Sequence, residues 1–240
     1  MTRPQICLVT GASSGIGKAI AQTLLQHDFV VYCAARRLEK MAELQTLGVI
    51  ALKMDITQSA DITRVLSKIQ QTHGGVDILI NNAGFGSYGA MEDTSIDDAC
   101  YQFEVNLFGL ARLTQGVLPY MRQQQGGTIV NMSSMGGKMY TPMGSWYHAT
   151  KHALEGWSDC LRLELAPFGI DVVIIEPGVI LTEFGDTMVG PLLERSGNSA
   201  YAPMANKLAK ATRASYSKEN KSGSPPSVVA DAVLKAVCAP

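Results

Sequence analysis

Apolar runs rich in β-branched residues alternate with stretches of helical spacing along this chain, and that alternation limits its possible folds more than any other feature. ICLVT (6–10) leads into a glycine turn and then into IGKAIAQTLLQHD, where apolar residues recur at helical intervals. FVVYCAA (29–35), VIALKMD (49–55), VDILIN (76–81), GGTIVNMSS (126–134) and IDVVIIEPG (170–178) repeat the strand signal, each preceded by a helical pattern. The near-continuous hydrophobicity of 29–35 suits a strand covered on both faces. RRLEKMAELQTLG reads as a polar helix with Gly48 as its C-terminal cap. Strand, helix, strand repeated this often means βαβ units on a parallel sheet. Right-handed crossovers then place helices on both faces. Residues 1–240 are therefore expected to form a single doubly wound α/β domain.

Composition removes several classes of function. Twenty basic against 21 acidic side chains leave a formal charge of −1, with no electrostatic footprint for nucleic acid or an anionic membrane. The opening MTRPQICLVTGASSG breaks at glycine too early for a signal peptide or an integral membrane segment. Cys7, Cys33, Cys100, Cys160 and Cys238 are scattered and never form a C-x-x-C pair, so they read as reduced thiols of a cytoplasmic protein. No His, Cys, Asp or Glu cluster has metal-ligand spacing, so no metal is expected. From about 183 to 226 the pattern loosens into Gly, Pro, Ser and Lys around two amphipathic pieces. That stretch reads either as a surface excursion of loose helices or as a lid over a substrate pocket.

The first strand runs straight into Thr10-Gly11-Ala12-Ser13-Ser14-Gly15-Ile16-Gly17, and Gly17 is expected to open a helix. Glycine serves where the backbone is tight and a ligand must approach closely. A helix N-terminus offers free N–H groups to a pyrophosphate, so this is a candidate dinucleotide turn of Rossmann type. Its Gly-x-x-x-Gly-x-Gly spacing differs from the more widespread G-x-G-x-x-G. Where many dinucleotide folds carry an acid for the ribose, this chain has Ala35, followed by Arg36 and Arg37. Losing the carboxylate and gaining guanidinium groups suits the 2′-phosphate of NADP(H). The competing reading is that both arginines merely solvate a helix start, where arginine opposes the helix dipole.

Tyr147 and Lys151 begin a long helical pattern, and their i,i+4 spacing puts both on one face. A nearby ammonium favours the phenolate and is expected to lower the tyrosine pKa toward working pH, as an acid/base group requires. Ser134 lies upstream at the end of the fifth strand, and a glycine-rich return joins the two.

With those residues in place, the chain resembles the classical short-chain dehydrogenase/reductase family over essentially its whole length. The resemblance rests on TGASSGIG, Asp55 after the third strand, Asn81-Asn82-Ala83-Gly84 after the fourth, and Asn106 within the long crossover helix. Ser134, Tyr147, Lys151, Pro177-Gly178 and Thr182 complete it. NNAGFGSYGAMEDTSIDD and YHATKHALEGWSDCLRLEL look most like the hydroxysteroid- and retinol-dehydrogenase-like branch.

The resemblance implies a set of roles. Tyr147 would be the general acid in reduction and the general base in oxidation, and Ser134 would hold and polarise the substrate carbonyl. Lys151 would bond the nicotinamide ribose, and Asn106 would fix a water linking Lys151 to solvent. Gly11, Ser13, Ser14, Gly15, Ile16 and Gly17 would cradle the cofactor phosphates, with Arg36 on the 2′-phosphate. Asp55 and Ile56 would hold the adenine; Asn82, Ala83 and Gly84 would line the middle of the cofactor. Pro177, Gly178, Val179 and Thr182 would flank the nicotinamide. The family also implies a homodimer or homotetramer, formed through the helical runs 97–124 and 147–166. After SVVADAVLKAVC the family usually adds a seventh strand, whereas this sequence stops at Pro240: either the protein is short or its ordered part ends there, which leaves the seventh strand and the sheet edge open.

The expected function is an NADP(H)-dependent oxidoreductase that interconverts a small hydrophobic carbonyl compound and its alcohol. One rival is an epimerase or dehydratase of the extended branch, which shares Y-x-x-x-K but not this glycine spacing. Another is a non-catalytic NADP(H)-sensing regulatory protein on the same fold. Several neighbours read as structural. Ser133 points to the opposite strand face from Ser134, and His148 lies about 100° around the helix from Tyr147. Met132, Met135, Met139 and Met143 read as packing or as the wall of an adaptable pocket.

Overall fold

A computed structural model describes residues 3–217, 220 and 223–239. Six strands form one parallel sheet: β1 Ile6–Thr10, β2 Val30–Ala35, β3 Ile50–Lys53, β4 Ile78–Asn81, β5 Gly127–Met132 and β6 Ile170–Ile175. Their order across the sheet is β3-β2-β1-β4-β5-β6. All six fall within the apolar runs of the sequence. Among the described residues no seventh strand follows the last helix.

Period-two alternation assigns each strand residue to one of two cores. Cys7 and Val9 of β1 face one side with Cys33, Ile78, Ile80 and Val130. There they meet α1 (Gly15–Leu25) through Ile20 and Leu24, and α9 (Pro226–Val237) through Val229 and Val233. Ile6 and Leu8 face the other side with Tyr32, Leu79 and Ile129. Those pack on α3 (Ser59–His73) through Val65 and Ile69, and on α5 (Gly109–Gln123) through Leu113 and Val117. Leu161 and Leu165 of α6 (Ser145–Leu165) complete that layer. Both sheet faces are covered, which explains why the strands read as continuous apolar runs.

The run after β2 is shorter than expected: a 3₁₀ turn at Leu38–Met41, then α2 (Ala42–Thr46), with Gly48 beyond it at φ +109°. The long crossover is α4 (Ile96–Phe103), a π-helical turn at Glu104–Phe108 and then α5. Asn106 lies in that turn and is buried. Such π insertions frequently mark functional sites.

In this strand order the chain reverses direction between β1 and β4, so a crevice opens beyond their carboxyl ends. The glycine turn, residues 82–84 and the end of β5 all empty into it.

Candidate active site

The glycine turn is shaped as much by the protein as by any ligand. Gly11 (φ +67°) and Gly15 (φ +56°) use backbone that favours glycine. A Cβ on Gly11 would sit 2.8 Å from Ala83 Cα, and one on Gly17 would sit 2.5 Å from Asn82 Nδ2. Asn82 Nδ2 donates to Thr10 O at 2.9 Å and Gly11 O at 3.3 Å. The backbone N–H groups of Asn82 and Ala83 donate to Thr10 Oγ1 at 3.0 and 2.9 Å. Gly17 was expected to open α1 beside a ligand; the helix instead starts at Gly15, and Gly17 makes room for Asn82. Ser14 caps α1 in extended conformation with no side-chain bond to the first turn, and no acid occupies that turn. The free N–H groups and positive helix end suit an anion.

At the end of β2, Ala35 is buried while Arg36 and Arg37 are exposed and line the same cavity as Gly11 and Ser14. Arg36 Nη1 donates to Tyr101 Oη at 3.1 Å, and Arg37 Nη2 reaches Ser13 Oγ at 3.5 Å. Arg37 therefore belongs to the site alongside Arg36, a placement that follows from the turn lying beside β2. These groups fit a nicotinamide dinucleotide: an uncapped helix start, glycines at positive φ and two cations beside them.

The cavity, about 470 Å³, continues past Asn82, Ala83 and Gly84 to Ser134, Tyr147 and Lys151. Ser134 leads a short 3₁₀ turn, Met135–Gly137, and its Oγ accepts from Gly136 N at 3.0 Å. Tyr147 and Lys151 stand on one face of α6, and both are buried. Lys151 Nζ donates to Met132 O at 2.7 Å. Asn106 accepts from Phe85 N at 3.0 Å and donates to Phe85 O at 3.0 Å and Thr150 Oγ1 at 3.1 Å. Its side chain thus fastens the 84–86 segment to α6.

The electrostatics depart from expectation. Burial pushes Tyr147 up to about 12, and the Ser134 hydroxyl beside it only partly opposes that. Burial also draws Lys151 down to about 8, against the pull of Glu155. Lys151 was expected to depress the tyrosine, but desolvation dominates here and the amine is held by a backbone carbonyl.

Of the other expected residues, Ile16, Pro177, Gly178 and Thr182 line the cavity. Asp55, Ile56 and Val179 do not. Asp55 Oδ1 accepts from Thr57 N at 3.0 Å and Thr57 Oγ1 at 2.8 Å, closing the turn into α3. Ile56 packs beneath Gly109, where a Cβ would meet Ile56 O at 2.5 Å. Val179 O accepts from Ser224 N at 3.0 Å. His148 anchors the glycine-rich return: its Nδ1 pairs with Gly136 O at 2.9 Å and its Nε2 accepts from Thr141 N at 3.1 Å. Met132 lines the cavity and Met143 packs beside Tyr147, while Met135 and Met139 are partly exposed at the surface. Among the described residues no three His, Cys, Asp or Glu side chains converge on one point.

The described residues of the stretch from 183 to 226 are better ordered than its composition suggests. It forms α7 (Phe184–Ser196) and α8 (Ala202–Ser215); residues 218, 219, 221 and 222 lie outside the described residues. Met188, Val189, Leu192, Ala205 and Ala209 bury against Tyr88, Met143 and Tyr147. Arg195 Nη1 donates to Ser87 Oγ at 2.7 Å, and Ser196 Oγ accepts from Ala90 N at 2.9 Å. Phe184 lies 6.0 Å from Tyr147 and 6.1 Å from Tyr216 between ring centroids, and both Phe184 and Tyr216 line the cavity. Neither was singled out from sequence.

Residues 5–189 match the family profile described as short chain dehydrogenase. A 3-ketodihydrosphingosine reductase of Bacteroides thetaiotaomicron is 40% identical over 185 residues, which cover 77% of this chain and 67% of that relative. The crystal structure of a short-chain dehydrogenase from Streptomyces avermitilis superposes with a TM-score of 0.84 at 35% identity, covering 99% of this chain and 85% of that one. The closed form of a serine dehydrogenase complexed with NADP+ superposes with a TM-score of 0.85 at 29% identity, covering 98% and 90%.

Proposed function

The chain belongs to the short-chain dehydrogenase family, a group of oxidoreductases that use a nicotinamide cofactor on CH–OH/C=O groups, and from that premise we propose an NADP(H)-preferring enzyme that interconverts a hydrophobic carbonyl compound and its alcohol. One observation carries the reading: Ser134, Tyr147 and Lys151 share a single cavity with the glycine turn and both arginines. Arg36, Arg37 and Ser13 would hold the 2′-phosphate, with Gly11, Ser14, Gly15 and Ile16 at the pyrophosphate. Asn82, Ala83 and Gly84 would line the middle of the cofactor, with Pro177, Gly178 and Thr182 at its nicotinamide end. When bound, the cofactor supplies or accepts the hydride.

Tyr147 would give its phenolic proton to the carbonyl oxygen in reduction and take it back in oxidation. A tyrosine pushed up to about 12 is fully protonated at neutral pH, which suits the reducing direction. The Ser134 hydroxyl would donate to the same oxygen and stabilise charge developing there. Lys151, fixed by Met132 O, would support the phenolate left behind. Phe85, Met132, Ile180, Phe184 and Tyr216 give the substrate end an apolar, aromatic wall, with α7 and α8 as its lid. The Bacteroides relative is named for the reduction of a keto compound, which supports the carbonyl half of this reading.

Mixing the protein with NADPH or NADH and a panel of hydrophobic ketones and aldehydes tests this. Loss of NADPH absorbance with at least one carbonyl is expected. Tight NADPH binding with no turnover across the panel would replace the reading with a cofactor-sensing protein. A cytoplasmic homodimer or homotetramer completes the proposal. It is motivated by free cysteines and by Tyr101, Phe108 and Leu163 exposed along the two long helices. Sedimentation as a monomer at micromolar concentration would refute the oligomer.

A further inference from the structure

Beneath the Ser134 turn lies a carboxylate that the roles above leave unused. Glu155 stands one helical turn beyond Lys151 on α6, a spacing that puts both on one face, and its side chain is only 7% exposed. Its Oε2 lies 2.9 Å from Nζ of Lys138, the residue that ends the turn after Ser134. A Cβ on Gly137 would sit 2.9 Å from Glu155 Oε1 and 2.8 Å from Ser133 Oγ. The carboxylate therefore presses on the backbone of that turn from below.

A half-exposed ammonium compensates a buried carboxylate poorly. The other cation nearby is Lys151, which is not in ion-pair contact with Glu155 because its amine donates to Met132 O. In a low-dielectric interior the attraction still acts across that gap. The remaining charges around Glu155 can be named. Glu176, just after β6, reaches Lys138 at 3.5 Å. The π turn presents neutral Asn106 to α6, its Glu104 being paired with Arg112. On α4, Asp97 and Asp98 are exposed, and Asp98 pairs with Arg195.

We infer that Glu155 is a positioning residue for the site: tied to the Ser134 turn through Lys138, its buried carboxylate holds Lys151 in the ammonium form within the cavity that Tyr147 shares. This rests on the reading of Lys151 as a working group. Glu155 also opposes the effect of burial on that amine.

The test titrates Lys151 directly by the carbon-13 resonance of its Cε in lysine-labelled protein, the signal being identified by its loss in Lys151→Met. Glu155→Gln should lower the midpoint by roughly one pH unit, whereas Glu155→Asp, which keeps the charge, should lower it less. A shift that follows the charge at residue 155 and not its shape is a signature that a merely structural role does not produce. A midpoint unmoved in Glu155→Gln overturns the inference. If that variant does not fold, Glu155→Met, an apolar replacement of similar size at a buried site, decides: a lowered midpoint supports the inference and an unmoved one overturns it. The alkaline limb of kcat/KM should move with the same signs. Absence of turnover in the wild type would defeat the proposed function, while the titration would still decide the role of Glu155.

Discussion

Lys151 Nζ donates to the carbonyl of Met132 at 2.7 Å, so the amine one helical turn beyond Tyr147 is fixed to the strand that leads into Ser134. That bond holds a cation in a buried place, and burial draws its pKa from 10.5 to about 8. Below pH 8 the ammonium is charged in both folded and unfolded chains, and the folded state bears the full desolvation cost. Between pH 8 and 10.5 the unfolded chain binds more protons, so this group's contribution to stability improves as pH rises. Lys151→Met should therefore be more stable than wild type at pH 7, by up to about 3 kcal/mol less the lost hydrogen bond. The advantage should shrink between pH 8 and 10. Thermal melts of both proteins across that range check it, and an advantage that grows with pH would contradict the burial argument.

Tyr147→Phe should keep the fold and NADPH binding while losing at least about 100-fold in turnover. The ring contacts with Tyr88 at 5.5 Å and Phe184 at 6.0 Å survive the change. The phenolic hydroxyl disappears, and with it the proton donor and the bond to Ser134. Single-turnover assays with pre-bound NADPH read the loss directly, and activity within a few-fold of wild type would remove Tyr147 from the mechanism.

The sheet was legible because its strands are buried on both faces. Ile6–Thr10 coincides with the apolar run ICLVT, and the other strands sit inside theirs. Tyr147, Ser134 and Lys151 were legible through motif spacing. What spacing cannot carry is environment: the rise of Tyr147 to about 12 depends on how deeply the fold buries it. Helix α7 was obscured by Gly185, Gly190 and Pro191, which weaken helix propensity within it. Tertiary contacts of Val189 and Leu192 restore that helix. The π turn around Asn106 is invisible because one inserted residue leaves the apolar periodicity on either side intact.

Gly17→Ala should be costly for a reason internal to the protein. Its Cβ would sit 2.5 Å from Asn82 Nδ2 and 2.6 Å from Gly11 O, and Asn82 is already committed to Thr10 and Gly11. Overpacking of this kind costs about 1–3 kcal/mol, or roughly 2–4 °C of Tm per kcal/mol in a chain this long. Gly156→Ala is the control. Among the described residues nothing lies within 4 Å of its Cβ position on α6, so helix propensity predicts a gain of about 0.5–1 kcal/mol. Melting temperatures that fall equally in both variants would show that the glycine turn is not special.

Under the proposed function, cofactor choice would fall to two arginines held by different supports. Arg36 is braced by Tyr101 and Arg37 reaches across to Ser13 in the glycine turn, so a 2′-phosphate between them would meet cations from both. Ala35 offers no carboxylate to repel it. Charge-assisted hydrogen bonds are worth about 1.5–3 kcal/mol each, or roughly 10- to 100-fold in affinity. Arg36→Ala and Arg37→Ala should each weaken NADPH by that order while leaving NADH almost unchanged. Ala35→Asp should reverse the preference, because its carboxylate repels the phosphate and accepts from a free ribose hydroxyl. Fluorescence titration of NADPH and NADH against the three variants separates the effects. Equal loss of both cofactors in the arginine variants would mean that the guanidinium groups only support the turn, and the NADP(H) preference would then have no basis.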